Sequence, residues 1–279
     1  MDERITSRHN EKIKYMRSLQ EGKFRKNEGK FLIEGIHLFK EALSSEFKFS
    51  LIFYSHRLLK TEEGRIILAK LDETDCEKYL IDDELMEYIS PSETPQGITG
   101  AAQKIVWDKR NILKDKKIRL VALEEVRDPG NLGAIIRTAA CAGFSGVILL
   151  GDCADPFNPK VVRATQGAIF KIPLINLKDT KSMKEQFSPA KLKLAASTPY
   201  EGEAYYDASL KPPVAIILGT EARGLSEETL SLCDIKIRIP LSASMDSLNL
   251  SVSAGILIYE TCRQLEKSNK HSLVNQGKI

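Results

Sequence analysis

A chain of 279 residues is long enough for two domains, each with a core of its own. Hydrophobic residues make up 42% and charged residues 28%, an ordinary folded-protein balance, and no run approaches the roughly 18 apolar residues of a membrane span. The net charge of +3 says little about partners by itself. The five cysteines (Cys76, Cys141, Cys153, Cys233, Cys262) form no C-x-x-C pair and have no histidine cluster nearby, which excludes a disulfide framework and structural zinc. His9, His37, His56 and His271 are equally dispersed and are given no chemical role. The start, Met1-Asp2-Glu3, has neither an apolar signal core nor an acid-free transit segment, so the expectation is a cytoplasmic protein with no membrane and no metal partner.

In chain order, residues 1–30 carry nine Lys/Arg against five Asp/Glu, with Tyr15 and Phe24 interleaved. Such a segment can track a phosphate backbone or be a solvated helix without a partner; Arg8, Lys12, Lys14, Arg25 and Lys26 are the candidate RNA contacts. Residues 10–20 read as a helix, with Ile13, Met16 and Leu19 at helical spacing. A strand at Phe31–Ile33, a helix from Gly35 to Leu43 and strands at Phe49–Tyr54 and Glu77–Ile81 follow. A short helix over Glu84–Ile89, a turn marked by Pro91, Pro95 and Gly97, and a strand from Ile98 to Val106 complete a small α/β domain over 1–107. The charged stretch 108–117 reads as a linker. Within 118–279 the strands are more apolar: Ile118–Val126, Val147–Leu150, Ile172–Leu177, Leu192–Ser197, Val214–Leu218 and Ile235–Ile239. Alternation with helices predicts a parallel sheet covered on both faces, a last helix from near Ser247 to about Leu265, and a fraying polar tail.

In open parallel sheets, ligands bind at loops leaving the carboxyl ends of strands, and three such loops are unusual here. The first, Asp128-Pro-Gly-Asn131-Leu-Gly133, opens a helix whose single charge is Arg137. Gly133, Ala134, Ala140 and Cys141 flank that arginine one turn away, leaving room for a large anionic group, although pairing with a carboxylate elsewhere would also explain it. The second, Leu218-Gly-Thr-Glu221-Ala-Arg-Gly224-Leu-Ser226, follows a buried strand; Gly219 and Gly224 allow close backbone approach, Ser226 suits a helix N-cap, and Glu221 stands apart at the strand tip. The third runs from Ile239-Pro-Leu241 to Asp246-Ser247-Leu-Asn249-Leu-Ser251, with Asp246 or Ser247 a candidate N-cap and Asn249 unexplained by helix propensity. No P-loop, G-x-G-x-x-G, H-E-x-x-H or G-x-S-x-G motif is present.

Together, Asn131-Leu-Gly-Ala-Ile-Ile-Arg137-Thr-Ala, Leu218-Gly-Thr-Glu-Ala-Arg-Gly-Leu-Ser226 and Ile239-Pro-Leu with Ser247-Leu-Asn-Leu-Ser251 closely resemble the three signature motifs of the SpoU/TrmH RNA methyltransferases. The resemblance spans residues 118–265. A looser one, carried by Lys30-Phe-Leu-Ile-Glu34-Gly35 and Pro95-Gln-Gly97-Ile, relates the N-terminal part to the family's L30e-like substrate-binding domain.

The resemblance implies a parallel-sheet SPOUT domain with a C-terminal trefoil knot, a homodimer, and S-adenosylmethionine as cofactor. General topology rules give no knot, so that expectation comes from the resemblance alone. It further implies that Thr198, Leu218, Gly219, Ile239, Leu241 and Leu248 hold the cofactor, and that Asn131, Arg137, Glu221, Ser247 and Asn249 form the catalytic group. The implied reaction is methylation of a ribose 2′-hydroxyl, in ribosomal RNA first and transfer RNA second. A non-catalytic RNA-binding protein of the same fold and a base-nitrogen methyltransferase are the rivals. Arg137 is the family's proposed base, but a guanidinium with pKa above about 12 is a poor proton acceptor, so a phosphate clamp is the more conservative role.

Overall fold

The computed structural model describes residues 3–45, 47–220, 222–242 and 247–275, with side chains to 267. The chain forms two compact units, Met1–Val106 with Asp155–Lys171, and Trp107–Ala154 with Ile172–Ile279.

The first unit contains β1 (Glu3–Ile5), α1 (Glu11–Ser18), α2 (Gly22–Glu28), β2 (Lys30–Glu34), α3 (Ile36–Ser44), β3 (Phe49–Ser55), α4 (His56–Leu59), α5 (Glu62–Asp72), β4 (Glu77–Ile81), α6 (Asp83–Ile89) and β5 (Ile98–Gln103). Its sheet runs β1-β4-β3-β5-β2, with β5 antiparallel to both neighbours. Ile13, Met16 and Leu19 pack beneath Leu32, Phe53 and Ile81, which is why the helical spacing in α1 was legible. β1, α2, α4 and α5 were not foreseen: β1 is three residues long, and α2 and α5 are rich in charged residues. β5 ends at Gln103, short of Val106, which is solvent-exposed.

The second unit begins before the charged stretch, which carries α7 (Lys109–Leu113) with Ile112 buried in the core. Then come β6 (Arg119–Glu124), α8 (Pro129–Cys141) and β7 (Gly146–Leu150). The chain next returns to the first unit for residues 155–171, which hold α9 (Pro159–Ala164) and a short 3-10 turn. That excursion is fixed by aromatic and ionic contacts inside the first unit. Phe157 packs on Phe31 at 4.8 Å, Phe170 on Phe47 at 5.0 Å, and Lys171 pairs with Glu41. Gly167 (φ 88) makes it possible, since a Cβ there would lie 2.6 Å from that of Glu41.

The chain re-enters the second unit with β8 (Leu174–Leu177), α10 (Thr180–Gln186), β9 (Lys193–Ser197), β10 (Glu203–Ala204), β11 (Val214–Leu218), α11 (Glu227–Leu232), β12 (Ile235–Arg238) and α12 (Leu250–Asn275). The seven strands are parallel and ordered β10-β12-β9-β11-β6-β7-β8. Every residue of β7 and β11 is buried, as continuous apolar strands covered on two faces require. The chain moves outward from β6 to β8, then lays β9, β11 and β12 on the other side of β6. Strand order therefore reverses around β6 and β11, the position where open parallel sheets form a crevice. α12 continues past Leu265 to Asn275, where a fraying tail was expected.

Candidate active site

The three unusual loops leave the carboxyl ends of β6, β11 and β12. Asp128 caps α8, its Oδ1 accepting from the Asn131 backbone N–H at 2.7 Å, with Pro129 in the first turn. Asn131 is 9% exposed, so its amide faces the protein rather than water. Arg137, two turns further on, is exposed, and among the described residues its guanidinium has no ion pair or hydrogen bond. The small neighbours leave it open, and no carboxylate among the described residues claims it.

The second loop is folded tightly on itself. Gly224 N–H donates to Thr220 O at 2.9 Å, Arg223 N–H to Thr220 Oγ1 at 3.1 Å, and Thr220 and Gly224 bridge. Gly219 is compulsory, because a Cβ there would lie 2.1 Å from Gly224 O. The far end is held by Glu124 at the tip of β6, a residue sequence reasoning missed. Its carboxylate accepts from Ser226 N–H at 2.9 Å, Ser226 Oγ at 2.8 Å and Thr229 Oγ1 at 2.7 Å. Thr229 in turn shares a hydrogen bond with Thr180 at 2.7 Å. A lone acid before Glu125 gave no signal, because its partners lie about a hundred residues away. Beneath the network, burial first and then Asp234 and Glu124 push the Cys233 thiol up to about 12. Glu221 lies outside the described residues.

In the third loop, Asp246 also lies outside the described residues, and Ser247 is not the residue that caps α12. Asn249 does so: its Oδ1 accepts from Ser251 N–H at 2.9 Å, Ser251 Oγ at 2.7 Å and Val252 N–H at 3.3 Å. The other side of the same amide reaches the first loop, Nδ2 donating to Asn131 Oδ1 at 3.0 Å. One asparagine thus starts α12 and ties it to α8.

A cavity of about 580 Å³ opens where β9, β11 and β12 end. Thr198, Leu218, Gly219, Ile239, Leu241 and Leu248 all line it, as does Ser247. Asn131, Arg137 and Asn249 are not among its lining residues, although Asn249 sits between Leu248 and Leu250, which are. Thr198 is held on β12 through its N–H to Ile237 O at 2.8 Å. Tyr200, Glu201 and Arg223, which sequence reasoning passed over, also line the cavity.

The family model for the SpoU rRNA methylase family matches residues 119–259. The chain belongs to that family. A second model, the MRM3-like substrate-binding domain, matches residues 10–100. The 23S rRNA (guanosine(2553)-2′-O)-methyltransferase RlmP of Bacillus subtilis is 31% identical over 255 residues, 91% of this chain and 97% of its own. The mitochondrial rRNA methyltransferase 3 of Homo sapiens is 30% identical, over 87% of this chain and 69% of its own. Among solved structures, an AdoMet-bound rRNA methyltransferase from Sinorhizobium meliloti superposes with a TM-score of 0.84 at 31% identity, covering 94% of this chain and 98% of that one.

The basic leading segment divides. Arg25, expected among the RNA contacts, is a structural residue instead. It is 2% exposed, with Nε and Nη2 donating to Asp155 Oδ2 at 2.9 and 2.7 Å and Nη1 to Leu19 O and Gln20 O at 3.0 and 2.7 Å. Four of the guanidinium's five N–H donors are thus engaged, and at 2% exposure the fifth is out of a phosphate's reach. Lys12 pairs with Glu77 and lies 4.7 Å from the Tyr79 ring centre, and Arg8 stacks over Tyr88 at 5.1 Å. Lys14 and Lys26 are exposed and without a side-chain partner among the described residues.

Proposed function

We propose that this protein transfers the methyl group of S-adenosylmethionine to a ribose 2′-hydroxyl, and that its substrate is ribosomal RNA. The observation that carries the reading is the Asn249–Asn131 hydrogen bond, which ties the third loop to the first beside the cavity. The cavity residues fit the cofactor. Leu218, Ile239, Leu241 and Leu248 offer apolar walls for a purine, and the turn at Gly219 brings backbone polar groups to the same space. When bound, the cofactor supplies an electrophilic methyl group on a sulfonium.

The chain's residues do the rest. The guanidinium of Arg137, without a partner among the described residues, holds the phosphate next to the target ribose and stabilises negative charge developing on the 2′-oxygen. Ser247, which lines the cavity, fixes the hydroxyl relative to the methyl group, while the Asn131–Asn249 pair positions the loops around it, and alignment of this kind supplies much of the acceleration. The chemistry needs no metal. In this reading residues 1–107 hold the RNA, α12 closes a trefoil knot, and the protein works in the cytoplasm as a homodimer. Supporting the last two, β11 inserts between β6 and β9, and α12 leaves Val252 and Tyr259 51% and 55% exposed.

The test is a comparison of 2′-O-methyl maps of ribosomal RNA from wild-type and deletion strains. One ribose methyl group is expected to disappear in the deletion. An unchanged ribosomal map with a lost methyl in transfer RNA would reassign the substrate.

A further inference from the structure

Among the described residues lining the cavity, Arg223 is the one cation, and Glu201 the one carboxylate. Glu201 is already engaged, pairing with Lys236 at 2.7 Å. Arg223 is exposed, and its guanidinium has no ion pair or hydrogen bond among the described residues. Its backbone is not loose, because the Arg223 N–H to Thr220 Oγ1 bond at 3.1 Å and the Gly224 N–H to Thr220 O bond at 2.9 Å fix the turn to the tip of β11. A positioned, unspent guanidinium on a largely apolar cavity is built to receive an anion, and a planar carboxylate matches its fork of donors.

Resting on the methyltransferase reading, we propose that Arg223 grips the α-carboxylate of the cofactor's amino-acid end and so distinguishes the full cofactor from a bare adenosine thioether. The apolar leucine and isoleucine walls can take the purine, but offer nothing to a carboxylate that must leave water. Without a cation, burying that charge at the cavity would weaken binding. No covalent step is involved, and Arg223 acts by positioning.

The probes are S-adenosylhomocysteine, which carries the amino-acid end, and 5′-methylthioadenosine, which lacks it; both are neutral at sulfur. Calorimetric titration of the full chain should show Arg223→Ala weakening S-adenosylhomocysteine by about 10- to 100-fold, the range expected for one charge-assisted contact. Binding of 5′-methylthioadenosine should stay within about twofold, and Arg223→Lys should recover part of the loss. Equal weakening of both ligands would overturn the assignment, since it would mean that the turn, not the charge, was damaged. Unchanged binding of both, with weaker binding of an RNA fragment, would overturn it too and give Arg223 to a phosphate. If the wild-type chain takes up neither nucleoside, the methyltransferase reading fails, and this inference with it.

Discussion

Individual arginines of the two units are spent differently. In the first, the basic leading segment looks like a reserve of free charge, yet its most buried cation, Arg25, is consumed by Asp155 and two carbonyls, while Lys12 is tied to Glu77. In the second, Arg137 and Arg223 stand among small or apolar neighbours with no partner among the described residues. What a charge can do depends on whether its donors are already satisfied, so a count of basic residues misleads and a single isolated arginine does not. The sharpest way to break this contrast is Arg137→Ala. We expect transfer to fall by about a thousandfold or more, the scale of losing one donor that stabilises transition-state charge. Cofactor affinity should stay unchanged, as Arg137 does not line the cavity. Substantial remaining activity would remove Arg137 from the chemistry in either role.

The opposite effect is expected of Arg25→Ala. Four hydrogen bonds from one buried guanidinium are lost. Asp155, about a third exposed, can turn partly to water, so the cost should be about 2–4 kcal/mol rather than that of a fully buried pair. Urea denaturation followed by far-UV circular dichroism measures this. A loss below about 1 kcal/mol would mean that Arg25 is not the clasp its geometry indicates. Asn249→Ala comes next. It removes the cap of α12 and the tie to Asn131, and should cost about 1–2 kcal/mol. Because Leu248 and Leu250 beside it line the cavity, cofactor affinity should fall as well, which a cap far from any ligand would not cause.

The same contrast explains what was legible in the sequence. The central strands of the second unit were visible because burial on two faces leaves them almost purely apolar, and β11 was placed to the residue, whereas the two-residue β10 at the edge was not foreseen. Strand-end reasoning pointed to the three loops, and the family resemblance then named cavity residues such as Gly219 and Leu248 within them. The buried role of Arg25 was not legible: Asp155 is 130 positions away and reaches it only because residues 155–171 return to the first unit. Glu124 was hidden for the same reason, its three donors lying beyond position 225. Asn249 was noticed as odd for a helix interior, and it lies instead just before the helix. Long-range polar pairing has no periodicity, so it leaves no mark in a local pattern.

The smallest expected effects separate lysines within the leading segment. Lys26, exposed and without a partner among the described residues, should lower the salt slope of RNA binding by up to about one phosphate when changed to Met; Lys12, held by Glu77, should lower it less. Equal slopes would show that the Lys12–Glu77 pair opens freely for RNA. The pair also predicts an acid response. The Lys12 side chain, then Tyr79, holds the Glu77 carboxyl below its ordinary range. A carboxylate whose folded pKa is depressed contributes stability that is present above its unfolded pKa and lost as pH falls through the folded one. Both partners are well exposed, so the contribution is at most about 1 kcal/mol. Glu77→Gln should therefore flatten the acid limb of the stability curve slightly and leave stability near neutral pH lower by no more than that. A larger loss near neutral pH would mean that Lys12 is anchored as firmly as Arg25, and the division within the leading segment would then fall between Lys12 and Lys14 rather than at Arg25 alone.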